Sequence, residues 1–208
     1  MDWVTVAAVG VPAVVTLAGF LIGYLTTVRS TLRNHQLDRE SEQLRNQLER
    51  VNRQLSELYG PLLALSKSSG RSWDAFRSRH GPETDPFWGN PRHPVSQQES
   101  ETWRRWMLTV FAPMNDAMER LVVEKADLLD SPGMPEVLLD LVAHVASYRA
   151  VFAAWENGDY EVNTAPLNFP RQVEDYAEEA FRTLKARQQG LLGRMATPGS
   201  ARSSPHGP

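Results

Sequence analysis

The sequence predicts an all-α protein: an N-terminal transmembrane helix, a coiled-coil stalk and a cytoplasmic antiparallel four-helix bundle. Three observations predict it. No charge occurs between Asp2 and Arg29. Leucines and a valine then recur every seven residues. From Pro61 onward apolar residues return at helical spacing, with no convincing two-residue alternation of the kind a strand shows.

The stretch from Val4 to Val28 holds 25 residues, apolar apart from a few threonines. At a rise of ~1.5 Å per residue it reaches ~37 Å, enough to cross a ~30 Å hydrocarbon layer. Trp3 and Tyr24 lie towards its ends, where amphipathic rings favour the headgroup zone. A cleaved signal peptide would want a basic start and a shorter apolar core, and this chain starts Met-Asp-Trp. Asp2 precedes the span while Arg29 and Arg33 follow it, so the positive-inside tendency leaves the N-terminus outside and the remainder cytoplasmic. Gly19 and Gly23 form a small-xxx-small pair, a candidate contact between spanning helices. The expected organisation is an anchor over 1–28, a stalk over 29–59, a helical domain over 60–194 and a disordered tail over 195–208.

In the stalk, Leu37, Leu44, Val51 and Leu58 occupy one heptad row and Asn34, Ser41, Leu48 and Leu55 the other. The candidate oligomer seam is Leu37, Leu44, Leu48, Val51 and Leu55. In a parallel homo-oligomer, Arg33 meets Asp38 and Glu40 meets Arg45 across the two chains, both attractive pairs. The same rows also fit packing on the chain's own downstream helices, above all from Leu58 onward. Gly60-Pro61 is expected to break or hinge the helix, because proline lacks an N–H and crowds the preceding turn.

Four domain helices follow. The first runs from Pro61 to about Arg79. The second runs from about Ser100 to Leu129, bent at Pro113. The third has Pro135 in its first turn and stops at Glu156-Asn157-Gly158, and the fourth opens near Pro170. Two long connections remain, 80–99 and 158–169; aromatic Phe87 and Trp88 argue that the first docks on the helices.

With 208 residues, 22 Lys+Arg, 25 Asp+Glu and no Cys, the chain has no disulfide framework, no Cys-ligated zinc and no thiol nucleophile. A net charge of −3 excludes a globally basic nucleic-acid binder, and no nucleic-acid partner is expected. No Walker loop, dinucleotide fingerprint, nucleophile elbow or zinc-protease motif occurs, so no catalytic residue, cofactor or metal is assigned. His144 borders the apolar face of the third helix, with Asp140 one turn earlier to orient it. Trp103-Arg104-Arg105-Trp106 sets two arginines between two indoles, as an anion or headgroup contact would. Trp88, Arg104, Arg105 and His144 are therefore the candidate ligand or partner contacts.

The element order, with its Leu58-Tyr59-Gly60-Pro61-Leu62 junction, resembles bacterial proteins built as one span, a coiled coil and a small helical domain. It implies no functional residue. The leading expectation is a single-pass, non-enzymatic scaffold whose cytoplasmic module binds another protein. The alternative is a membrane-tethered ligand or lipid sensor with a pocket among its helices.

Overall fold

The computed structural model describes residues 38–80 and 94–196. The expected anchor with Gly19 and Gly23, Leu37 of the seam, Trp88, and residues 197–208 of the tail lie outside the described residues. Among the described residues all regular structure is helical. The chain divides into two compact units, one formed by Met1–Leu48 with Arg194–Pro208, the other by Glu49–Gly193. In the first, residues 38–48 are helical, and only Leu44 and Leu48 among them are half-buried.

Helix α1 covers 38–80 and passes through a wide π turn at Gln54–Tyr59 before continuing as Gly60–His80. The helix therefore does not end at Gly60-Pro61, as the proline suggested. The Gly60 N–H reaches back five residues to the Leu55 carbonyl. A proline ring in a regular helix crowds the carbonyl four residues back, and a turn with an extra residue gives it room. Helix α2 repeats the device. It runs Gln97–Trp106, widens at Met107–Phe111, and resumes as Ala112–Glu124 with Pro113 in the first turn. Here too a widened turn replaces the expected bend.

The α2 start lies ahead of Ser100. The Ser96 hydroxyl accepts the Glu99 N–H at 3.3 Å, while the Glu99 carboxylate accepts the Ser96 N–H at 2.8 Å, a reciprocal capping box. After a 3-10 turn at Ala126–Leu128, α3 spans Glu136–Glu156, with Pro135 as its N-cap rather than inside its first turn. It closes in a Schellman motif: Asp159 N–H donates to Ala154 O, and Gly158 N–H to Trp155 O. Gly158 supplies the φ of 77° that this closure needs. Helix α4 is Gln172–Ala196.

Neighbouring helices pair in opposite directions. Along α1, Glu57 meets Lys125 and Phe76 meets Trp103 of α2, so one chain direction rises as the other falls. Asn52, Lys67 and Gly70 of α1 meet Gln188, Glu178 and Glu174 of α4 in the same reversed order. Helix α3 packs on α2, with Arg149 paired to Glu119. By length and composition α3 is apolar enough to cross a membrane. Within this fold, however, Leu138, Leu141, Val145 and Val151 are buried.

The core starts earlier than position 60. Val51 is 1% exposed and Leu55 8%, so these two seam candidates pack inside the chain's own unit. Gln54, fully buried, donates to the Leu128 carbonyl at 2.8 Å. Past the wide turn Ser66 is buried and Leu65 only half-buried, the reverse of a seven-residue row carried on from Leu58. At the far end Phe76 lies within 5.5–6.4 Å of the rings of Trp73, Trp103, Trp106 and Phe111.

The wide turn makes a sign prediction. At Gly190 nothing lies within 4 Å of an added Cβ. Gly190→Ala should therefore stabilise the protein by about 0.5–1 kcal/mol through helix propensity. At Gly60 a Cβ would stand 2.4 Å from the Leu55 carbonyl oxygen. Gly60→Ala should destabilise by about 1–3 kcal/mol, as overpacked sites do. Urea unfolding of the two variants reads the opposite signs.

Candidate functional site

Segment 158–169 has no helix or strand, so its backbone polar groups need partners from elsewhere. Three ring N–H groups supply them. Trp103 Nε1 donates to Asn163 O at 2.7 Å, and Trp155 Nε1 to Val162 O at 2.8 Å. His144 Nδ1 lies 2.7 Å from Leu167 O, a carbonyl that can only accept, which fixes the proton on Nδ1. Arg104 adds a fourth tie, donating to Asn163 Oδ1 at 3.0 Å with its guanidinium 4.3 Å from the centre of the Tyr160 ring. The second long connection is thus bound along its length to α2 and α3.

Held there, the segment closes one side of a cavity of about 1140 Å³. Helix α1 contributes Ser66, Ser69 and Trp73; α2 contributes Trp103, Met107, Phe111 and Asn115; α3 contributes Asp140, His144 and Tyr148. The segment and the start of α4 add Thr164, Leu167, Phe169, Arg171 and Glu174. The wide turn of α2 carries two of these, Met107 and Phe111, and widened turns recur at functional sites.

Among the described residues Ser66, Ser69, Asn115 and His144 are buried polar side chains of the wall. His144 is 5% exposed, and burial holds its pKa below the ordinary 6.5, opposed in part by the Leu167 hydrogen bond. The ring is therefore neutral at neutral pH and carries its lone pair on Nε2. Asp140 does not orient it; the Leu167 carbonyl, supplied by the ordered segment, takes that place. Asn115 is 4% exposed, and its Oδ1 is sealed from solvent with no hydrogen-bond partner. Burial likewise pushes the Tyr148 phenol up to about 12.

Asn115 is the site residue the sequence did not single out. The available signal was a carboxamide one turn after Phe111 and one turn before Met118, on an otherwise apolar face. Of the three candidate contacts among the described residues, His144 lines the cavity, Arg104 is bonded to the 158–169 segment and Arg105 is exposed. Leu44 and Leu48 stand half-buried outside the unit that holds the cavity. Among the described residues, no group of three His, Asp or Glu side chains is arranged to hold a metal ion.

Two expectations follow from this geometry. The unfolded chain binds a proton at His144 near pH 6.5, while the folded chain binds it only at lower pH. Stability is then complete above that value and falls as pH drops below it. Glu57 and Glu179, both held below 4.5 by neighbouring cations, act in a separate and more acidic window. Chemical denaturation across pH 5 to 7.5 should show this decline in the wild type and a flatter profile in His144→Gln. Arg104→Ala should release segment 158–169, and limited proteolysis should cut there at least severalfold faster than in the wild type. No protein family, no curated protein and no solved structure matched the chain.

Proposed function

We propose that the chain is a membrane-tethered, non-enzymatic small-molecule sensor whose helical unit encloses its ligand. The observation that carries this reading is Asn115. A buried amide without a partner costs about 1–3 kcal/mol, and this one lines a cavity large enough for an organic molecule. The oxygen is sealed from the empty cavity as well as from solvent, and a half-turn of the carboxamide would bring it to a bound ligand's donor.

The opposed helix pairs fit a four-helix bundle, in which ligand sites form between facing helices. The charge-free stretch from Val4 to Val28 supports a single cytoplasm-facing anchor, and the heptad rows between Asn34 and Leu48 support a parallel stalk. A cytoplasmic protein partner would then read the occupied state.

The test is Asn115→Leu. Leucine is close in size and needs no hydrogen bond, so the empty variant should unfold at the same free energy as the wild type or up to about 2 kcal/mol higher. Native mass spectrometry of full-length protein purified from membranes should find a co-purifying small molecule on the wild type and none on the variant. The reading fails if both carry the same molecule or neither carries one.

A further inference from the structure

We propose that the cavity takes a neutral aromatic molecule whose N–H or O–H group donates to His144 Nε2. The proposal rests on the ligand-site reading above, names the ligand class, and is independent of Asn115.

The His144 ring is wedged edge to face between Tyr148, at 5.2 Å between centres, and Phe169, at 5.5 Å. Its Nδ1–H is spent on the Leu167 carbonyl, so the ring cannot turn over without losing that bond. Nε2 is thereby held as an acceptor, and burial keeps the ring neutral so that its lone pair is present at neutral pH. Among the described residues Nε2 has no hydrogen-bond partner, yet it is not one of the unpartnered atoms sealed from solvent. His144 lines the cavity and is only 5% exposed, so the surface Nε2 keeps lies in the cavity wall. An acceptor placed there is open to a ligand.

The rest of the wall sets what carries the donor. Among the described lining residues no buried one is ionised, while Asp74, Asp140 and Arg171 are exposed and Arg77 and Glu174 half-buried. An ammonium or carboxylate brought to the depth of His144 would lose its water with no buried counter-charge to replace it. A neutral donor loses far less. Ser66, also buried in the wall, gives its hydroxyl hydrogen to the Leu63 carbonyl at 3.1 Å, so its oxygen too is left to accept. Trp73 meets Trp103 edge to face at 6.0 Å and Phe111 at 6.2 Å. A wall of rings packed in this way takes a further flat ring by the same contacts.

Indole and benzofuran share one shape and differ where the N–H of indole is a bare oxygen in benzofuran; tryptamine adds an ammonium group to indole. Titration calorimetry at neutral pH compares the three on the full-length chain in uncharged maltoside micelles, with protein-free micelles as blank. Indole should bind at least about tenfold tighter than benzofuran, as loss of a buried hydrogen bond predicts, and no more weakly than tryptamine. In His144→Asn the carboxamide still donates to Leu167 but places nothing at the Nε2 position, so the two uncharged probes should bind within about twofold of each other. Thermal melts check that this variant is folded, and the wild-type comparison needs no variant. If benzofuran comes within about tenfold of indole on the wild type, or tryptamine binds more tightly than indole, the ligand class is overturned while the ligand site stands. If indole keeps its advantage in His144→Asn, the assignment to Nε2 is overturned. If no probe binds the wild type, this proposal falls, and co-purification on wild type and Asn115→Leu decides the ligand-site reading by itself.

Discussion

Four side chains, Gln54, Trp103, His144 and Trp155, donate their N–H groups to carbonyls in irregular backbone or at the end of a 3-10 turn. A buried carbonyl left unbonded costs more than a made hydrogen bond returns, so each donor decides whether its segment can stay down on the helices. Three of the four serve the 158–169 connection. That connection in turn lines one side of the cavity. The arrangement of Asn115, His144 and Tyr148 around one cavity depends on a length of irregular backbone being tied from three rings.

The ties also give the polar residues of the site unequal freedom. His144 has one ring nitrogen committed to structure and the other left over for chemistry. Arg104 is held to the segment by its hydrogen bond to Asn163 and its position over Tyr160. Asn115 has no commitment at Oδ1. A side chain that is buried, rigidly placed on a helix and yet unsatisfied is what a binding site needs before its ligand arrives, and a packed core disfavours it.

Much of the helical layout was legible in the residues because it follows from spacing and from end signals. The stripes through Trp103, Met107 and Phe111, and through Leu138, Leu141, Val145 and Tyr148, are buried as their periodicity implies. Asn157-Gly158 ended α3 by the positive φ that glycine allows. Ser96 and Glu99 are an equally clear start for α2, and Ser100-Glu101-Thr102 offers a similar pattern four residues later. The site was far less legible. His144 could be placed on a helix face, but its true partner, Leu167, lies 23 residues away in a segment with no pattern of its own. Asn115 interrupts an apolar stripe, and a single interruption does not distinguish a satisfied core amide from an empty one. Proline at 61 and 113 announced a disturbance without saying that each helix would widen instead of stopping.

The widened turn in α1 has a consequence for how long one heptad row keeps facing inward. One surplus residue advances the phase of everything after it, so the inward line through Val51 and Leu58 passes to Tyr59, Ser66 and Trp73. Beyond that step a seven-residue row counted on from Leu58 falls on Leu65, ~100° from Ser66, while the row Leu55, Leu62, Ser69 and Phe76 stays buried. A single surplus residue in one turn thus sets where the row through Val51 and Leu58 stops marking the inward face of α1.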